Sequence, residues 1–447
     1  MILFIWCIGF IYYTLPWMAL TNSRRKLLKG WMSSPNSRGS IDIIWSSFFT
    51  ISLCTWTTLC LNIPHPNDSD LTVLLRKGKW MICAILLPEF VLIISAGQYA
   101  LARMSVQHFR RLGHHHWTLR HSFFVDMGGF LLQFEGGTPF VVNNAQLAFL
   151  VEKGYVECPK ISAQEIWDRS KANLLSKIVA LLQISWFLIQ LIGRTIVHLP
   201  ITTLELLTSA IVLYTVGNLG FWLNKPNDIQ KGITLSLSVS LEDIMSANAD
   251  GTALFNPHAA PSSTTSRSVG PSQNTHRPLP ERFSNATYPN LSASHKLIFL
   301  CVAKGGVALH LLAWNFEFPT DIERLGWRVA SSILMATSLA ISAFEFLVYR
   351  PNTDCWDQYL NPRSHKQRSS QEKSANTLEE GNARAEITEN TEATLHFLSI
   401  WRVVIMKAIA AIYLTARLFL VVEALVSLRS QPVKIYATLD VGHLFSG

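Results

Sequence analysis

Eight runs of mostly apolar residues dominate the chain, at 1–20, 43–63, 80–102, 178–198, 204–223, 297–314, 329–349 and 404–425. A helix needs about 20 such residues to cross the ~30 Å hydrocarbon layer of a bilayer. The second run, IIWSSFFTISLCTWTTLCLNI, carries no charge and is closed by Pro64. The first, MILFIWCIGFIYYTLPWMAL, has its positive charge after the apolar core, at Arg24, Arg25, Lys26 and Lys29. A secretory signal peptide has the reverse order. The first run is therefore expected to be a retained anchor; its removal would leave seven spans.

Composition points the same way. Apolar residues make up 49% and charged residues only 15%, against about 25% charged in soluble domains. Mean hydropathy is +0.24, although two long stretches are polar. An ordinary soluble enzyme, a disulfide-stapled secreted domain and a disordered regulator are excluded. The expected fold class is all-α, a polytopic transmembrane helix bundle with cytosolic disordered linkers. Spans 1–5 fill 1–223, with a structured cytosolic loop at 103–177. A linker follows at 224–296, then spans 6–7 at 297–349, a charged linker at 350–403, and the last span with an external tail at 404–447.

Lysine and arginine set the orientation. Of 38, 27 fall in the loops 21–42, 103–177, 224–296 and 350–403, and 7 in 64–79, 199–203, 315–328 and 426–447. The first set is expected in the cytosol, with both termini lumenal or exterior, in a membrane of the secretory pathway or the plasma membrane. The net charge of +8 is then a topology signal and a contact with anionic lipids. Lipid is the expected partner; nucleic acid is not.

Within 103–177, Ser162 and Glu165 form a capping box, so a helix is expected from Ala163 into the fourth span. FFVDMGGFLLQFEGGTPF before it suits an interfacial or re-entrant segment. Residues 232–292 and 361–393 read as disordered linkers. Ser332, Ala336 and Ala340 form a small-residue stripe expected at a helix contact.

Soluble-enzyme motifs are missing. His114, His115 and His116 are consecutive, with His108 and His121 nearby, but three successive side chains cannot converge on one ion. Asp354 and Asp357 lack a second acidic motif. Neither a metal nor another cofactor is expected, and the seven cysteines imply no disulfide framework.

The chemistry lies in the charges inside the spans: Glu89, Glu205, Glu345 and Glu423, with Arg194, Lys304, Lys407 and Arg417. Each costs about 2.5–3.5 kcal/mol at a bilayer centre and is expected to face the bundle interior and pair. At ~1.5 Å per residue, Arg194 and Glu205 match near the outer edge, and Glu345 and Lys407 near the inner one. Glu89, beside Pro88, falls near mid-membrane, with Arg417 and Lys304 as depth neighbours. It is the candidate functional carboxylate.

TWTTLCLNIP at 55–64, ISAQEIWDRSK at 161–171, WNFEFPT at 314–320 and ARLFLVVEAL at 416–425 resemble a large family of fungal multi-span integral membrane proteins with no settled biochemical function. The likeness covers all but the linkers and implies a polytopic fold. Two classes stay open. One moves or senses a small solute through a charge-lined interior. The other is a membrane-embedded enzyme acting on a lipid or terpenoid, with Glu89 as proton donor.

Overall fold

The computed structural model describes residues 27–34, 38–65, 67–134, 139–170, 174–237, 293–347 and 384–438. The first expected span and most of both linkers lie outside them. Eleven α-helices and five short strands form among the described residues. The all-α expectation is thus corrected to a mostly helical chain with two small sheets.

Six helices make the bundle: α1 (Ser40–Thr58), α7 (Leu174–Ile196), α8 (Thr203–Phe221), α9 (Ala293–Leu311), α10 (Asp321–Leu347) and α11 (Arg384–Val426). The central one is α8, packed on α1, α9, α11 and α3 (Pro88–Arg111). Its apolar stretch is 72% buried, whereas no other candidate span exceeds 44%. Ser176–Ile196, Thr203–Phe221, Leu297–Asn315, Asp321–Ala343 and Val404–Arg429 are long and apolar enough to cross a membrane, and α2 (Asp70–Leu86) joined to α3 makes a sixth. Helix α1 falls short because it is rich in Ser and Thr. Its Thr50, Thr55, Thr57 and Thr58 hydroxyls donate to carbonyls four residues back at 2.7–2.8 Å, which satisfies them without water.

At one end of the bundle, β1 (Leu27–Lys29) pairs antiparallel with β5 (Ser430–Pro432). The Arg38 amide donates to the Tyr436 carbonyl at 2.9 Å. At the other end sits a compact lobe of α4 (Leu119–Asp126), β2 (Phe130–Phe134), β3 (Phe140–Val141), α5 (Asn144–Glu152), α6 (Ala163–Asp168) and β4 (Ile233–Leu237). Phe109, Trp117, Phe124, Phe130, Phe149 and Ile166 fill its core. The glycine pair after α4 is sterically required: a Cβ on Gly129 would lie 2.4 Å from the Phe124 carbonyl, and Gly128 has φ +86°.

Several local expectations change. The FFVDMGGF segment is part of the lobe core and not a segment lying on the bundle surface. Strand β4 takes 233–237 out of the expected linker and adds in parallel beside β2. The Ser162 hydroxyl does cap α6 at the Glu165 amide, 3.0 Å, but α6 stops at Asp168 and α7 starts separately at Leu174. Ser332, Ala336 and Ala340 are exposed; Ser331, Leu334 and Ser338 face the bundle instead.

The largest change is at 80–102. Proline at 88 has no amide donor and excludes the α region for its predecessor, and Leu87 adopts φ −132°, ψ 55°. Helices α2 and α3 meet there at 111°. Both helices reach toward the lobe: Lys77, midway along α2, pairs with Asp228 at 2.9 Å, and Phe109 near the end of α3 lies in the lobe core. The third run is therefore sharply bent at Leu87–Pro88 instead of continuing straight.

The ends of the bundle group the chain segments differently from the expected alternation of loops. Leu27–Lys29 and Ser430–Pro432 share one end through the β1–β5 pair. Loop 64–79 joins the lobe end, where the Ile63 amide donates to the Met127 carbonyl at 3.0 Å.

Candidate functional site

The α2–α3 break gathers polar groups from four helices. Glu89 lies in the first turn of α3, where the helix dipole favours a carboxylate. The Tyr214 hydroxyl of α8 donates to its Oε1, and the Tyr413 hydroxyl of α11 to its Oε2. Glu89 keeps part of its surface exposed, while Tyr214 and Tyr413 are buried. Tyr214 Oη is also 2.9 Å from the Ala303 carbonyl of α9. Its approach depends on Gly306, where a Cβ would sit 2.3 Å from the ring.

One turn beyond Tyr413, the fully buried Arg417 reaches the other side of the break. Its Nε donates to the Ile85 carbonyl at 3.4 Å, in the last turn of α2, where the break removes the helical N–H donors that carbonyls would otherwise have. Its Nη1 lies 2.9 Å from His310 Nε2. His310 Nδ1 lies 3.1 and 3.3 Å from the Gly306 and Val307 carbonyls. Carbonyls only accept, so Nδ1 carries the proton, Nε2 accepts from Arg417 and the ring is neutral. The Trp327 indole fixes this turn by donating to the His310 carbonyl at 3.0 Å. Among the described residues, Arg417 Nη2 is buried with no hydrogen-bond partner.

The break thus sets the negative end of α2 against a cation and the positive end of α3 against an anion.

The expected site residues fare differently. Glu89 and Arg417 act on the same two phenols, but among the described residues no ion pair joins them. Lys304 turns to α10 and donates to the Ser338 carbonyl and hydroxyl at 2.6 and 2.7 Å. The Glu345 side chain lies outside the described residues, and Lys407 is exposed on α11, so that pair is not described. Glu423 is buried with Oε1 unpartnered, within electrostatic reach of Glu323 and Arg429.

Arg194 and Glu205 lie within electrostatic reach of each other, but their hydrogen bonds go to other partners. Both lie at the β1–β5 end, but Glu205 bonds to Arg38 and accepts from the Thr202 amide and hydroxyl at 2.8 and 2.9 Å. Arg194 donates instead to the carbonyls of Pro200, Ile435 and Ala437 at 2.7–3.1 Å. The β1–β5 pairing carries Arg38 to Glu205 and leaves Arg194 to hold the C-terminal turn.

Three members of the site, Tyr214, Tyr413 and His310, were not read as such in the sequence. One signal was available: Tyr413 and Arg417 are four residues apart, on one face of α11.

The lobe holds a separate polar network. The Asn144 amide donates to Asp126 Oδ1 at 3.0 Å, and Ser105 Oγ to Asn144 Oδ1 at 2.7 Å. Burial pushes the Asp126 carboxyl up to about 6 and the Lys225 ammonium down to about 8. Of the histidine run, His116 Nε2 lies 3.8 Å from Cys158 Sγ, whose thiol burial pushes up to about 11. Among the described residues, no three metal-ligating side chains converge.

The chain belongs to a family of unknown function, DUF8562, whose model matches residues 8–250 and 293–446. No curated protein and no solved structure matches it.

Proposed function

We propose that this is a multi-pass membrane protein that binds a small solute at the α2–α3 break and moves or senses it. The observation that carries the reading is a buried arginine with an unpartnered Nη2, set at a helix break opposite a carboxylate held by two phenols. Buried polar groups are normally satisfied by protein or water, and an open donor at such a break marks where a ligand acceptor fits.

The membrane setting is supported by the outer faces of the bundle. Trp45, Leu182, Trp186, Ile298, Leu339 and Val422 are all at least half exposed, a distribution that suits lipid and not water. In this arrangement α1 and α7 to α11 cross, and α2–α3 is a re-entrant hairpin entering from the lobe side. The loops on the lobe side then hold 25 Lys and Arg, and those on the other side 9. That bias assigns the lobe to the cytosol, beside anionic lipid headgroups, in the plasma membrane or the secretory pathway.

The test is an untargeted comparison of solutes inside and outside cells or organelles of a deletion strain and its parent. Redistribution of a solute without a new precursor supports the proposal. An accumulated precursor with a missing product would mean that the site performs chemistry, and would replace it.

A further inference from the structure

We propose that the solute is a small monoanion and that it binds together with one proton, taken up by Glu89. This rests on the solute-binding reading above and adds the charge of the solute and its coupling.

The first ground is Arg417. Its Nη2 is buried and offers N–H donors to nothing, while its Nε and Nη1 are already committed to Ile85 and His310. The missing partner is an acceptor, and a charged acceptor binds a guanidinium best.

The second ground is the charge balance. The groups facing the break are Glu89 of α3, Tyr214 of α8, Tyr413 and Arg417 of α11, and His310 of α9; Lys304 of α9 is turned onto Ser338 of α10. His310 is neutral by its hydrogen bonds, so Glu89 and Arg417 balance each other. An anion added at Arg417 would leave one excess negative charge away from water, which is costly. One proton on Glu89 restores the balance.

The third ground is the route by which that proton is accommodated. A carboxyl that gains a proton becomes a donor on one oxygen, and the phenol facing that oxygen must turn its own hydrogen elsewhere. Tyr214 has such a second acceptor, the Ala303 carbonyl at 2.9 Å. With its hydrogen on Ala303, its oxygen accepts from the Glu89 hydroxyl, while Tyr413 still donates to the other oxygen. No hydrogen bond is lost. The proton is exchanged at the part of Glu89 that the protein leaves uncovered, and no electrons move.

Calorimetric titration of the full chain in phosphatidylcholine nanodiscs tests this. The probes are sodium lactate, sodium benzoate and sodium dimethyl phosphate, with glucose and choline as neutral and cationic controls, in buffers of different ionisation heat between pH 5.5 and 7.5. The expected result is uptake of one proton per anion, with affinity falling about tenfold per pH unit across this range. Glu89→Gln should bind without proton uptake or pH dependence. If soluble anions bind in phosphatidylcholine but are displaced by phosphatidylglycerol, the monoanion is a lipid headgroup. Anion binding with no proton uptake by the parent protein overturns the proposal, whatever the variant does. So does the absence of anion binding at every pH. Binding of glucose or choline alone, or redistribution of a neutral solute in the deletion strain, overturns it while leaving the solute-binding reading intact.

Discussion

Tyr214 and Tyr413, from helices α8 and α11, each donate to a different oxygen of the Glu89 carboxylate. Their helices are thereby tied to the first turn of a third, at the point where the α2–α3 hairpin reverses. Removing either hydroxyl leaves a charged oxygen short of a donor in a dry setting, a loss of about 1.5–3 kcal/mol for hydrogen bonds to charged groups. Tyr214→Phe and Tyr413→Phe should each lower the thermal stability of the detergent-solubilised protein. In the Glu89→Gln background either loss should shrink, because the acceptor is then neutral. Equal losses in both backgrounds would mean that the phenols do not act through the carboxylate.

The β1–β5 end gives a prediction about pairing. Glu205→Arg should lower expression, and Arg38→Glu in the same chain should restore part of it. Restoration is partial because Glu205 also accepts from the Thr202 amide at 2.8 Å, which arginine cannot do. Exchanging Arg194 with Glu205 should restore less, since a glutamate at 194 cannot donate to the carbonyls of Pro200, Ile435 and Ala437. Expression measured as a fluorescent fusion separates the two cases.

How much of this was legible in the sequence depends on what each apolar run conceals. Length and composition find the long helices because a bilayer leaves little choice of structure. They do not say whether 80–102 crosses or doubles back, since both have the same composition; that depends on Pro88 and on Lys77 meeting Asp228, a contact between distant segments. Glu89 stood out because an ionisable group in an apolar run needs a partner. Its partners did not, because a tyrosine in such a run looks like any other large side chain. Likewise, depth brought Arg194 and Glu205 to one level, but Arg38 arrives from a loop, where depth arithmetic does not apply.

Topology can be checked with single cysteines at exposed positions in sealed microsomes of a chain whose own cysteines have been replaced. Ser33 and Lys434 should react with a membrane-impermeant maleimide from one side, and Asn67 and Lys153 from the other. If 80–102 crossed, Asn67 would instead label with Lys434. The same arrangement puts Asn67 in the cytosol, so the glycosylation sequon Asn67-Asp68-Ser69 should carry no glycan.

The lobe should respond to pH through Asp126. Its carboxyl is raised by burial to about 6, so the folded lobe holds this proton more tightly than the unfolded chain does. The resulting stabilisation is complete below the unfolded value of about 4 and is lost as pH rises through about 6. Lys225, lowered by burial to about 8, acts oppositely, stabilising only as pH rises from there toward its unfolded value. Between pH 7 and 5 the stability of the parent should therefore rise relative to Asp126→Asn, which keeps an acceptor for the Asn144 amide but cannot titrate. Hydrogen exchange of α4 and α5 gives the readout; parallel pH profiles in the two proteins would remove Asp126 as the cause.

The central claim is that Glu89 belongs to a solute site and is more than a tie between helices. The most direct measurement is the solute profile of the deletion strain carrying Glu89→Gln, with the variant shown to be folded and in its membrane. Glutamine keeps the size and the acceptor for one tyrosine but removes the charge and the exchangeable proton. The account predicts that this strain keeps the profile of the deletion. A folded Glu89→Gln protein that restores the parental profile in full would contradict it.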